Sequence, residues 1–390
     1  MTTKPASLQV PFHRADLGED EIRAVTDVLR SGWLTMGGRT LEFEGQFADY
    51  VGASYAVAVS SCTAALHLAL EAVGVRHGDE VIVPTTTFTA TAEVVTYCGA
   101  RPVFADIDPR TFNVDVGDIE RRITPRTKAI IPVHFGGMPC DLDEVQELAG
   151  RHGLHVIEDA AHSLPASYRG RRVGSISEMT AFSFYATKTL TTAEGGMVTT
   201  EDESCAHRLQ MMRLHGIRRD AWKRYSSEGS WFYEVLENGY KYNFTDLQSA
   251  LGLAQLAKCD AMTAVRRKIA RQYTQAFESI GAVEVPVELP DRETAWHLYV
   301  LRLNLGRLRI DRKQFIRELS ERGVSTSVHF IPLHLQPVYR RKFQYEPGDF
   351  PVAEREYERS LSLPIFSAMR EEEIEHVIWA VTDVTSAWSR

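Results

Sequence analysis

The stretch SFYATKTLTTAEGG, Ser183 to Gly196, sets one lysine, Lys188, just past an apolar strand in a turn rich in threonine and glycine. At a sheet edge flanked by apolar strands, a lysine amine can lose enough hydration to act as a neutral nucleophile near pH 7, as Schiff-base chemistry requires. The same residues also suit a solvated loop lysine. A second stretch, HVIEDAAHS from His155 to Ser163, closes an apolar strand with Glu158 and Asp159. Strand alternation sends His155, Ile157 and Asp159 to one face and Val156 and Glu158 to the other. The potential metal ligands His155, Glu158, Asp159 and His162 are thereby divided, and no metal centre is expected. A carboxylate fixed at a strand end suits pairing with a cationic ring nitrogen, or capping of a following helix. A third stretch, SSCTAALHLAL from Ser60 to Leu70, leaves a strand on small, hydroxylic residues and opens a helix at Cys62 or Thr63. Its free backbone N–H groups make either an anion site fit for a phosphate or simply a capped helix start.

Strand ends must be gathered on one edge for these residues to meet. From about residue 55 to 200, short apolar runs beginning at Tyr55, Glu80, Arg101, Lys128, His155, Met179 and Gly195 alternate with helix-period segments beginning at Thr63, Phe88 and Asp141. Such alternation implies βαβ units and a mostly parallel sheet covered on both faces, with ligands bound at the carboxyl ends of the strands. An amphipathic helix, Glu19 to Ser31, precedes this region and leads into the loop SGWLTMGG. Beyond it come a helical region from about Asp246 to Ile280, a strand from His297, a helix from about Asp311 to Arg322, a strand STSV from Ser325 and a final helix from about Arg370 to Trp388. The expected fold is therefore α/β: a large domain, residues 1–255, built on a mostly parallel sheet flanked by helices, and a smaller C-terminal α+β domain, residues 256–390.

The 390 residues, 44% apolar and 25% charged, have ordinary globular composition, which excludes a disordered or disulfide-stapled chain. A net charge of -8 without a basic stripe argues against nucleic acid as a partner. No apolar run approaches a bilayer span and the N-terminus MTTKPASLQVPF lacks a signal-peptide core, so a cytoplasmic location is expected and no membrane partner. Cys62, Cys98, Cys140, Cys205 and Cys259 are scattered without a CxxC pair and read as reduced thiols. No GxGxxG after a strand, GxxxxGK[ST], HExxH or GxSxG occurs.

SSCTAAL, PTTTFTATAE, VIEDAAHS, SFYATK with AEGG, YNFTDLQSALGLAQL and VHFIPLH follow one another in this order from Ser60 to His334. Together they resemble the DegT-type sugar aminotransferases, pyridoxal 5'-phosphate (PLP) enzymes of the aspartate aminotransferase fold, fold type I. The resemblance runs from about Val10 to the C-terminal helix. It implies that Lys188 binds the cofactor covalently and that Asp159 pairs with its ring nitrogen. It places His162 beside the phenolic oxygen, Phe88 over the ring, and Cys62, Thr63 and Ser183 around the phosphate. Asn243 corresponds to a residue that reaches the phosphate from the neighbouring subunit, which implies a homodimer with shared active sites. His329 lies near cofactor and substrate, and Phe330 stands where many relatives have tyrosine. Relatives that act as dehydratases carry histidine in place of the lysine, and Lys188 is intact here.

The same resemblance implies ping-pong transfer of an amino group from glutamate to a nucleotide-linked keto sugar. Trp33 and Thr35 in the loop Ser31 to Gly38 are similar to members that aminate the 4-position, so the expected acceptor is a dTDP-4-keto-6-deoxyhexose. A 3-keto nucleotide sugar, a cyclitol, or a PLP-binding regulator without turnover are the alternatives. The aromatic-rich stretch Trp222 to Tyr242, with Arg218, Arg219, Lys223, Arg224 and Lys241, is a candidate surface for the nucleotide diphosphate, or a solvated loop.

Overall fold

The computed structural model describes residues 8–217 and 233–390. Its central sheet uses β1 (Tyr55–Val59), β2 (Glu80–Pro84), β3 (Arg101–Ala105), β4 (Thr127–Ile130) and β5 (His155–Asp159). After a short antiparallel pair, β6 (Ser167–Tyr168) and β7 (Arg171–Arg172), it is completed by β8 (Met179–Ser183) and β9 (Gly196–Thr200). The strand order is β1-β9-β8-β5-β4-β2-β3. Within this sheet β9 runs antiparallel to both neighbours, and the pairings β2–β3, β2–β4, β4–β5 and β5–β8 are all parallel. β1 and β8, each antiparallel to β9, therefore point the same way as the rest, and six carboxyl ends share one edge. β2 is buried at every position, as a strand covered on both faces must be.

The helices of the first half are α1 (Glu19–Ser31), α2 (Gly38–Val51), α3 (Cys62–Ala72), α4 (Ala90–Tyr97), α5 (Val116–Arg122), α6 (Leu142–His152) and α7 (Glu203–Met212). α3 is buried from Ala64 to Leu70 and lies against the sheet and α4. α1 stops at Gly32, whose φ of 74° is left-handed and favours glycine. Its Ile22 and Leu29 remain exposed. α2 starts against a distant residue: Asp246 accepts the N–H groups of Gly37, Arg39 and Thr40 and the Thr40 hydroxyl, satisfying the free donors at the helix start.

Asp246 itself opens α8 (Asp246–Ala257), which is followed by α9 (Cys259–Phe277). The continuous helical region expected from Asp246 to Ile280 is therefore interrupted at Lys258, whose amine reaches Glu21 of α1 at 2.8 Å. β10 (Val283–Glu284), β12 (Tyr299–Leu303) and β13 (Ser360–Leu363) form a second, antiparallel sheet, while β11 (Arg292–Glu293) joins β6. α10 (Arg312–Glu321), α11 (Pro337–Phe343), α12 (Pro351–Arg359) and α13 (Glu371–Trp388) complete the chain. A separate apolar core gathers Tyr273 and Phe277 of α9, Tyr299 and Leu301 of β12, Phe315 of α10 and Val377 of α13. The strand expected at Ser325 does not form. That stretch makes isolated bridges on either side, Val324 to Val10 and Ser327 to Ser362, because its two partners belong to different segments.

Candidate active site

Lys188 sits in the connection between β8 and β9, which pair from Met179–Thr200 to Ser183–Gly196. The threonines of that connection hold its shape. Thr191 Oγ1 donates to the Phe184 carbonyl and accepts from Ala193 N–H, and Thr192 Oγ1 donates to the Glu194 carbonyl. The Lys188 N–H closes a turn onto the Tyr185 carbonyl at 2.9 Å. Burial pushes the Lys188 amine down to about 8, Arg266 pushes the same way, and Cys62 and Asp159 pull upward. Its Nζ lies 3.5 Å from His297 Nε2.

Asp159 ends β5, held by backbone bonds to Pro132 and His134 beyond β4. Its Oδ2 accepts the Thr91 hydroxyl at 2.8 Å, which in turn contacts Thr87 at 2.7 Å, and its Oδ1 accepts Ala161 N–H at 3.1 Å. Burial raises this carboxyl above its ordinary range, against the pull of these donors and of Lys188. Glu158 faces the opposite way, onto His134 at 2.6 Å, and His155 pairs with Glu178 at 2.8 Å. The division of these side chains by strand alternation is the one the sequence implied.

Cys62 and Thr63 are the first residues of α3, with Ser61 as N-cap accepting Ala64 N–H. Cys62 Sγ lies 3.8 Å from the Ala181 carbonyl of β8, so the helix start is seated directly over the strand that leads to Lys188. Gly196 permits this: a Cβ there would lie 2.5 Å from the Ser61 carbonyl carbon and 2.7 Å from Cys62 N. A Gly196→Ala protein should therefore displace the start of α3 and weaken PLP binding about tenfold or more, read as Kd by fluorescence titration of the apoprotein. Unchanged affinity would show that the α3 terminus is not part of the cradle.

His162 Nδ1 accepts Gly136 N–H at 3.3 Å, and its ring lies 4.4 Å from that of His297 and 6.0 Å from that of Phe330. Phe330 is also 5.9 Å from Phe88, which is 58% exposed in the loop before α4 rather than inside the helix. His329 donates or accepts at Ser362 Oγ, 2.8 Å away. Burial, then the Lys188 charge, holds His162 and His297 well below the usual histidine value and His329 at about 4. The three rings are neutral at pH 7 and add no positive charge around the amine.

Lys188, Asp159, Cys62, His162, His329 and Phe330 are thus brought together, with Phe88 alongside. Ser183 is partly buried at the end of β8, its hydroxyl accepting Tyr185 N–H at 3.4 Å. Asn243 bridges to Val59 at the end of β1 and receives the Lys241 amine. Trp33 and Thr35 form their hydrogen bonds with Met36 and Asp246 rather than with this cluster. Arg218, Arg219, Lys223 and Arg224 lie outside the described residues. His297 and Thr91 were not singled out in the sequence. His297 stands before a strand 109 residues beyond Lys188 and offers no local signal, and Thr91, inside α4, meets Asp159 only through the tertiary fold.

A flat, cationic, phosphorylated ring fits these residues. Asp159 is buried with a hydroxyl and an N–H as its partners, so a cationic ring nitrogen would complete its charge. The open N–H groups of α3 suit a phosphate, and Lys188 has the lowered basicity that an aldehyde-binding amine needs.

Residues 15–382 match the DegT/DnrJ/EryC1/StrS aminotransferase family. The spore coat polysaccharide biosynthesis protein SpsC of Bacillus subtilis is 49% identical over 376 residues, covering 96% of this chain and 97% of SpsC. Among solved structures, Spr1654 of Streptococcus pneumoniae in its PLP-form superposes with a TM-score of 0.91 at 33% identity, covering 97% of this chain and 99% of that one. The sugar aminotransferase CalS13 of Micromonospora echinospora gives a TM-score of 0.86 at 30% identity, covering 97% of this chain and 100% of that one. The chain accordingly belongs to the DegT/DnrJ/EryC1/StrS family of PLP-dependent sugar aminotransferases.

Proposed function

We propose that this enzyme transfers the amino group of glutamate to a nucleotide-linked 4-keto-6-deoxyhexose, carried on dTDP, in the cytoplasm. The observation that carries the reading is the meeting of Lys188, Asp159 and the α3 N-terminus at one sheet edge. Bound PLP supplies a carbon that takes up the amino group and a protonated ring that draws electrons from the adjacent carbon. Asp159 holds the proton on the ring nitrogen. Cys62 and Thr63 N–H groups, the Thr63 hydroxyl and Ser183 would hold the phosphate, Phe88 would stack on the ring, and His162 would stand beside its phenolic oxygen. The Lys188 amine removes the proton from the α-carbon of glutamate and later delivers one to the former keto carbon of the sugar. His297, neutral, accepts a hydrogen bond from the amine and steers it.

His329 and Phe330 form the wall that meets the sugar, with Trp33 and Thr35 reading its acceptor position. We assign residues 1–255 to the cofactor-binding domain and 256–390 to the smaller one, supported by the separate core around α9 and β12. The exposed apolar Leu17, Ile22, Leu29, Leu34 and Leu41 around α1 and α2 support burial against a second copy of the chain, with Asn243 completing the partner's phosphate site.

The test is a half-reaction on the purified holoenzyme. Glutamate should bleach the visible band of bound PLP, and a 4-keto nucleotide sugar should restore it. Restoration by 3-keto sugars or a keto cyclitol alone would overturn the acceptor assignment, and a band indifferent to glutamate would overturn the donor.

A further inference from the structure

His67, on the buried face of α3, leaves its Nε2 without a hydrogen-bond partner although the residue is only 4% exposed. One helical turn later on the same face stands Glu71, its Oε1 3.8 Å from that nitrogen. Cys98 caps the C-terminal end of α4, and its Sγ, the His67 nitrogen and the Glu71 carboxylate all lie within 4.8 Å of one another. Two ligand atoms about 2.0 to 2.2 Å from a tetrahedral cation are separated by roughly 3.4 Å, so small side-chain adjustments would close this set around one ion.

The surroundings favour a ligating histidine. Tyr242 Oη lies 3.2 Å from His67 Nδ1; when Nδ1–H donates to that oxygen, the lone pair is left on Nε2, facing Glu71 and Cys98. Tyr240 donates to Glu71 Oε1 at 2.9 Å and fixes the carboxylate. Burial and the Glu71 charge push the Cys98 thiol up to about 12, so without a cation it stays protonated.

We propose that His67, Glu71 and Cys98 form a binding site for one zinc-class divalent cation. The ligand set is neutral nitrogen, carboxylate and thiolate, whose two negative charges balance the ion, and water takes the fourth position. Binding displaces the thiol proton to solvent. The site would clamp the far end of α3, whose start forms the phosphate cradle, to the end of α4, whose Thr91 bonds Asp159. It would also fix the Tyr240–Tyr242 segment, whose Tyr242 carbonyl accepts Ser60 N–H at 2.9 Å just before that cradle.

Holoenzyme incubated with zinc and then gel-filtered should retain about one zinc per chain, and Cys98→Ser or His67→Gln should lower retention about tenfold or more. With cobalt instead of zinc, the wild type should show red d–d bands beyond the cofactor's absorption. Zinc should also slow alkylation of Cys98 by iodoacetamide about tenfold, mapped by mass spectrometry, a readout that needs no variant. Retention of less than about a tenth of an equivalent, equal retention by correctly folded variants, or Cys98 labelling indifferent to zinc would each overturn the site.

Discussion

Replacing Lys188 with alanine is expected to lower kcat by roughly 10⁴-fold or more, because one amine serves as both covalent anchor and proton carrier. The protein with added PLP should also lose the visible band of the covalent adduct while its circular dichroism is unchanged. The lowered basicity of this amine gives the same prediction a pH signature. With a value near 8, the neutral, reactive fraction falls about tenfold for each unit below it. The rate at which apoprotein combines with PLP should therefore rise steeply up to about pH 8 and level off above it. A lysine of ordinary basicity would show the rise continuing to about pH 10. A rate that climbs through pH 9 without levelling would mean that the amine is solvated, contrary to its place beside His297.

Asp159→Asn should lower kcat by roughly 10² to 10³-fold while leaving Lys188 able to bind PLP, since the substitution keeps the shape and removes the charge. A second measurement separates this role from a structural one. The folded state raises the Asp159 carboxyl above its unfolded value by burial. Ionised Asp159 therefore opposes folding of the apoprotein: stability is greatest below the unfolded value and falls as pH rises through the folded one. At pH 7 that cost is present in the wild type and absent from the variant. The apo variant should melt at the same temperature as wild type or higher, and the gain in Tm on adding PLP should be smaller. A large loss of apo stability would instead make Asp159 a structural anchor for Thr91 and Ala161.

The alternation of strands and helices between Tyr55 and Thr200 was legible because period, β-branched runs and terminal glycines are local properties of the chain. α1 and α3 begin and end where caps and Gly32 place them. α2 could have been read from Phe43, Phe47 and Val51, four residues apart and all buried, but its glycine-rich start masked it. The missing strand at Ser325 was not legible, since it depends on contacts with other segments.

Residue types and order alone determined the α/β architecture and the three stretches that carry Lys188, Asp159 and the α3 start. Each is a short-range pattern whose physics lies within a dozen residues. The tertiary structure alone decided that β8 lies between β5 and β9, which sets Lys188 and Asp159 at one edge. It alone brought His297 to the Lys188 amine, placed Asp246 at the start of α2 and set Cys98 beside His67. Those encounters join residues up to 209 positions apart. They follow from which apolar faces bury best against one another, a choice made by the whole chain and written in no single window of it.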